Sequence, residues 1–79
     1  MNKRLSYGGH VIVAIPERVP ESTEWYANGR IERLRTDGPA VYERSPGNIC
    51  ATEEEAVKCY HAFGRQVIGD GIQLTLDQH

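Results

Sequence analysis

The sequence predicts an α+β domain: a three-stranded antiparallel sheet in the order β-β-β-α, with one C-terminal helix packed on one face. Three observations predict it. Residues 10–15 read HVIVAI, a short β-branched run that Pro16 stops because it has no amide proton for a ladder. Residues 23–35 and 40–44 alternate with a period of two. Ala56, Cys59, Tyr60, Phe63 and Val67 recur at steps of three and four, which gathers them on one stripe of a helix.

In chain order, the first strand is His10–Ile15, and Gly8-Gly9 reads as a flexible lead into it. Two prolines and three charges make 16–22 an exposed loop. In the second strand Trp25, Ala27 and Ile31 share one parity and Tyr26, Arg30 and Leu34 the other. Asn28-Gly29 is a strong hairpin signal. Because a hairpin there would leave two very short arms, one long strand bulged at the glycine is the better reading. Asp37-Gly38-Pro39 is a turn, Ala40–Arg44 a third strand, and 45–48 a loop. Thr52 and Glu55 have capping-box spacing, and three successive glutamates suit the positive end of a helix dipole, so a helix is expected over 53–68 with Gly69 as its stop. In the tail at 71–79, Ile72, Leu74 and Leu76 alternate as either a short fourth strand or a frayed end. The organisation is therefore one small domain over 1–79, with its core in 7–70.

This arrangement places Val11, Val13, Ile15, Trp25, Ala27, Ile31, Val41, Ile49, Ala56, Cys59, Tyr60, Phe63 and Val67 in the core. It leaves Ile12, Tyr26, Leu34 and Tyr42 on the open face. Leu, Ile, Val and Phe number 17 of the 79 residues, just above the level at which disorder is the default.

Composition narrows the function classes. With 9 basic and 11 acidic residues and a net charge of -2, the chain lacks the positive field of a non-specific nucleic-acid binder. The longest apolar run, Val11 to Ile15, is too short for a membrane span or a signal-peptide core, so a cytoplasmic protein with Cys50 and Cys59 as free thiols is expected. No convergent catalytic set appears among His10, His61, His79, Cys50, Cys59 and the glutamates. Cys59 and His61 stand two apart on a helix and point to different faces. Cys50 is the better candidate for a reactive thiol, because nearby helix amides can lower a thiol pKa. The spacing of Cys50, Cys59 and His61 fits no paired zinc motif, and neither a metal nor another cofactor is implied. Arg30, Arg33, Arg35 and Arg44 with Trp25, Tyr26 and Tyr42 hint at single-stranded nucleic acid, but interspersed acids favour a solvated face of ion pairs.

Two resemblances add to this reading. Tyr7-x-Gly9, Trp25, Ile31, the run Asn48-Ile49-Cys50-Ala51-Thr52-Glu53-Glu54-Glu55-Ala56 and Gly64-x-x-Val67-Ile68-Gly69-Asp70 together resemble a loose group of small proteobacterial proteins of three strands and a helix, a domain of unknown function. That resemblance covers Tyr7 to Asp70 and implies the fold without an activity. The order of three strands and a Thr-x-x-Glu-Ala helix start, here Thr52 to Ala56, is similar to HicB-type antitoxins and implies toxin neutralisation or operator binding. Those proteins usually carry Pro-Leu-Pro-Gly before the helix, where this chain has Ser45-Pro46-Gly47-Asn48-Ile49-Cys50.

The expected function is a small non-enzymatic interaction module. Ile12, Tyr26, Arg30, Leu34, Tyr42 and Arg44 form its binding face, with the two arginines on the rim. The partner is a protein or a second copy in a weak homodimer, and no small-molecule substrate is identified. A HicB-like or nucleic-acid-binding module is the alternative.

Overall fold

The computed structural model of the chain describes residues 2–33, 40–43 and 45–71. Within them the protein is α+β, with antiparallel sheets and one C-terminal helix. The strand content corrects the expectation of three. Strands β1 (Arg4–Tyr7), β2 (His10–Ala14), β5 (Gly29–Arg33) and β6 (Ala40–Tyr42) form a sheet in the order β1-β2-β5-β6. A second sheet, in the order β3-β4-β7, is built from β3 (Glu17–Arg18), β4 (Trp25–Tyr26) and β7 (Ile49–Cys50). Helix α1 spans Glu53–Gly69. The predicted turn at 37–39, together with Leu34, Arg44 and the alternating Ile72, Leu74 and Leu76, lies outside the described residues.

Gly8-Gly9 is a hairpin turn instead of a flexible lead-in. Its φ values of 55° and 81° are the pair of positive angles that a tight two-residue turn between twisted strands requires. The turn folds β1 back on β2, with Leu5 opposite Ile12.

The long second strand is also corrected, because the chain changes sheets between Tyr26 and Gly29. Asn28-Gly29 is neither a bulge within one strand nor a hairpin. The cause lies in the strand beside it: Pro16 ends the first ladder after Ala14, and the chain resumes as β3 inside the predicted loop. Backbone groups at the break stay satisfied. Ile15 donates its amide to the Asn28 carbonyl at 2.8 Å, and Ala27 donates to the Asn48 carbonyl at 3.0 Å.

Cross-strand register decides which residues face the helix. Ile12 stands opposite both Leu5 and Ile31, and Ile31 opposite Tyr42, so these four form one row beneath α1. Ile12 and Tyr42 therefore do not lie on an open face. Ile12 is 0% exposed and Tyr42 packs against the core. Val11 and Val41, expected in the core, turn to the other face and are half-buried; Val13 shares that face but is buried as expected, while Ile15 and Ile49, expected inside, are 42% and 51% exposed. The parity of β2 was undecidable from HVIVA because both of its faces are apolar, and a slip of one residue inverts them all. In GRIER, Ile31 is the one large apolar residue, and its partners follow it inward. Ala27, Ala56 and Tyr60 are buried, and Phe63 and Val67 pack against the core, as expected. Trp25 is half-buried beneath the Arg18 guanidinium, 5.7 Å from its ring centre, and Cys59 is half-buried.

Thr52 caps α1, its Oγ accepting the Glu55 amide at 3.1 Å. Glu55 answers one residue earlier than the usual capping box, accepting from the Ala51 amide at 3.3 Å. At the other end Asp70 and Gly71 donate to Gln66 and Ile68, and the positive φ falls on Gly71 instead of Gly69. Between the caps Ala56, Val57, Tyr60 and Gly64 form the buried stripe. Full burial of Ile12, Ile31, Val57 and Tyr60 stabilises the fold by roughly 1.5–3 kcal/mol for each aliphatic side chain. It also pushes the Tyr60 phenol above its ordinary range, with Tyr42 adding to the rise and Arg30 opposing it.

The Tyr60 ring lies over Gly29, where an added Cβ would collide with the Val13 carbonyl oxygen and stand 2.6 Å from Tyr60 Cε2. Alanine in place of a strand glycine ordinarily stabilises by about 0.5–1 kcal/mol. Gly29→Ala is instead expected to destabilise by about 1–3 kcal/mol in urea unfolding, as overpacking does. A variant that gained stability would contradict this packing of Tyr60.

Candidate functional site

The six residues predicted to form a binding face are not brought together. Ile12 and Tyr42 lie on the helix side, and Tyr26 belongs to the small sheet, paired with Glu17 and Ile49. Leu34 and Arg44 lie outside the described residues. Arg30 alone, among the described members of the set, stands on the far face of the large sheet, opposite Val13.

Register assembles that far face from other residues. One row runs Ser6, Val11, Glu32, Val41 and the next runs Arg4, Val13, Arg30, since directly paired residues share a face. Val11 and Val41 are half-buried, whereas Val13, flanked by Arg4 and Arg30, is buried. Arg30 donates from Nε to the Glu32 carboxylate along the same strand. Among the described residues no second helix lies against this face. The signal that reveals it is the pairing of Val11 and Val13 with the polar residues of GRIER, which becomes usable once Ile31 is placed inward.

The groups with catalytic potential are held in structural roles. His10 Nδ1 lies 2.9 Å from the Gly8 carbonyl of its own turn, and His61 Nε2 lies 3.0 Å from the Lys3 carbonyl, tying α1 to the start of β1. Lys3 Nζ adds an exposed ion pair to Glu53 at 3.1 Å. Glu55 is occupied at the helix cap. Among the described residues no three His, Cys, Asp or Glu side chains gather as a metal site would require.

The two cysteines form a second feature. Cys50 pairs with Trp25 in β7, and Cys59 lies two turns into α1, where its Sγ accepts from Asn48 Nδ2 at 3.2 Å. Both are half-buried free thiols. Burial pushes the Cys50 thiol above its ordinary range; Cys59 adds to the rise by charge and by a hydrogen bond between the thiols, and Glu55 adds more. The helix start does not activate Cys50, because burial and the Glu55 charge outweigh its amides. An open cavity of about 260 Å³ lies beside Cys59, lined also by Pro46, Asn48, Ala62, Phe63 and Gln66. It is smaller than pockets that enclose drug-sized ligands.

The raised Cys50 thiol forms its reactive thiolate only as the pH climbs past the ordinary thiol range. Iodoacetamide labelling at pH 7, followed by peptide mapping, is accordingly expected to be slower at Cys50 in the folded protein than in urea, and to accelerate with alkali. Faster labelling in the folded protein at pH 7 would contradict this environment.

Comparison with known protein-family models, with curated proteins and with solved structures finds no match, so both resemblances rest on the residues alone.

Proposed function

We propose that the protein is a small non-enzymatic cytoplasmic interaction module that self-associates through the far face of its large sheet. The observation that carries this reading is one-sided coverage: α1 packs on the Ile12–Ile31 side, and Val11 and Val41, only half-buried, are set on the other. The far face mixes valines with Ser6, Arg4, Arg30 and Glu32, and a second layer laid on it would bury the valines that α1 leaves uncovered. A second copy suits this face because one row carries Arg4 and Arg30 and the next carries Glu32. Glu32 already pairs with Arg30 of its own chain, so in a two-fold approach the charges of this face set orientation at the rim while the valines meet. The face also argues against nucleic acid, since Arg30 is engaged by Glu32. The binding role drawn for Ile12 and Tyr42 passes to Val11 and Val41.

Sedimentation tests this surface directly. The wild type is expected to shift towards dimer at millimolar concentration, while Val11→Glu and Val41→Glu, folded by circular dichroism, associate at least about tenfold more weakly. A wild type that stays monomeric in that range, or folded variants that associate equally well, would remove the far face as the interaction surface.

A further inference from the structure

We propose that Cys50 and Cys59 are a redox-modification site, at which a hydroperoxide converts the two thiols into one intramolecular disulfide tying β7 to α1. The fold brings them together from different elements. Cys50 ends the strand that leads into the helix, and Cys59 returns alongside that strand two turns later. Asn48, two residues before Cys50, donates to Cys59 Sγ at 3.2 Å and fixes that sulfur beside the strand. The Ala27–Asn48 bond continues the β4–β7 ladder, so Asn48 and Cys50, two apart along it, share the face that meets Cys59, and α1 packs against this strand. Neither is sealed in the core: both are only half-buried, and Cys59 lines the open cavity bounded by Pro46, Asn48 and Gln66, through which a small oxidant reaches it.

The roles follow from this placement. Cys59, as thiolate, attacks the outer oxygen of the hydroperoxide; the O–O bond breaks, and the departing alkoxide takes up the thiol proton to leave as an alcohol, or as water when the oxidant is hydrogen peroxide. Cys59 is then a sulfenic acid. The Cys50 sulfur attacks the Cys59 sulfur, the S–O bond breaks, and hydroxide leaves as water with the proton that Cys50 gives up. Two thiols have lost two electrons and two protons, and the hydroperoxide has gained them. The raised Cys50 thiol is little ionised and therefore slow towards a dilute peroxide, so its part is the second step, where the electrophilic sulfur is already in place. Because the closed loop ties the helix start to the strand, the oxidised form should be more resistant to heat.

Treatment of the reduced wild type with equimolar hydrogen peroxide, followed by intact-mass measurement and tryptic mapping, tests the site. The monomer is expected to lose the mass of two hydrogens, and fragments 45–58 and 59–65 to remain linked until a thiol reductant is added. The oxidised protein should melt about 10 °C higher. Cys50→Ser is expected to halt at a sulfenic acid on Cys59 that dimedone traps. Closure should be at least about tenfold faster in the folded protein than in urea, a comparison that needs no variant. Oxygen added without linkage of the two fragments, linkage only between molecules, or closure no faster in the folded protein than in urea would each overturn the proposal.

Discussion

The structure depends on how closely α1 approaches the sheet. An added Cβ on Gly64 would lie 2.8 Å from Ile12 Cδ1 and Cγ2, so the helix backbone rests directly on the Ile12 side chain. One turn earlier Tyr60 lies across Gly29. Two glycines on opposing elements thus receive two large side chains, and the contact leaves each little room to shift, because cores are packed at crystal-like density. The glycine inside a helix costs about 1 kcal/mol relative to alanine, which the burial of Ile12 and Tyr60 exceeds.

That contact determines the faces. Once Ile12 is beneath Gly64, alternation directs Val11 and Val13 away from the helix, and register carries Arg30, Glu32 and Val41 with them. It also packs α1 against β7, so that Cys59 returns to Asn48 at the head of the strand that carries Cys50. The far face and the thiol pair are consequences of one helix position. They remain separate in chemistry: the first offers half-buried valines and charges, the second a pair of sulfur atoms next to a small cavity.

Legibility in the sequence followed the uniqueness of each local signal. The helix was readable because Thr52, Glu55 and the three- and four-residue steps all agree, and Ile31 was readable because it stands alone among polar neighbours. The parity of β2 was not, since HVIVA is apolar on both faces and only pairing with Ile31 resolves it. β1 escaped because an edge strand with one side to solvent needs little apolar content, and Leu5 alone marks its inward side. The break between β4 and β5 originates in Pro16, more than ten residues earlier in the chain, and the approach of Cys59 to Cys50 needs the helix to be docked. Non-local causes of this kind leave no local pattern, which is why the binding face was drawn from the wrong parity.

A double-mutant cycle between Gly64→Ala and Ile12→Val, followed by urea unfolding, tests the central contact most directly. Alanine in place of a helical glycine ordinarily gains about 1 kcal/mol. If the helix rests on Ile12, Gly64→Ala destabilises instead by about 1–3 kcal/mol. In the Ile12→Val background, where the δ-methyl is gone, its cost falls by at least about 0.5 kcal/mol. Additive effects, or a Gly64→Ala protein that is more stable than the wild type, would contradict the account.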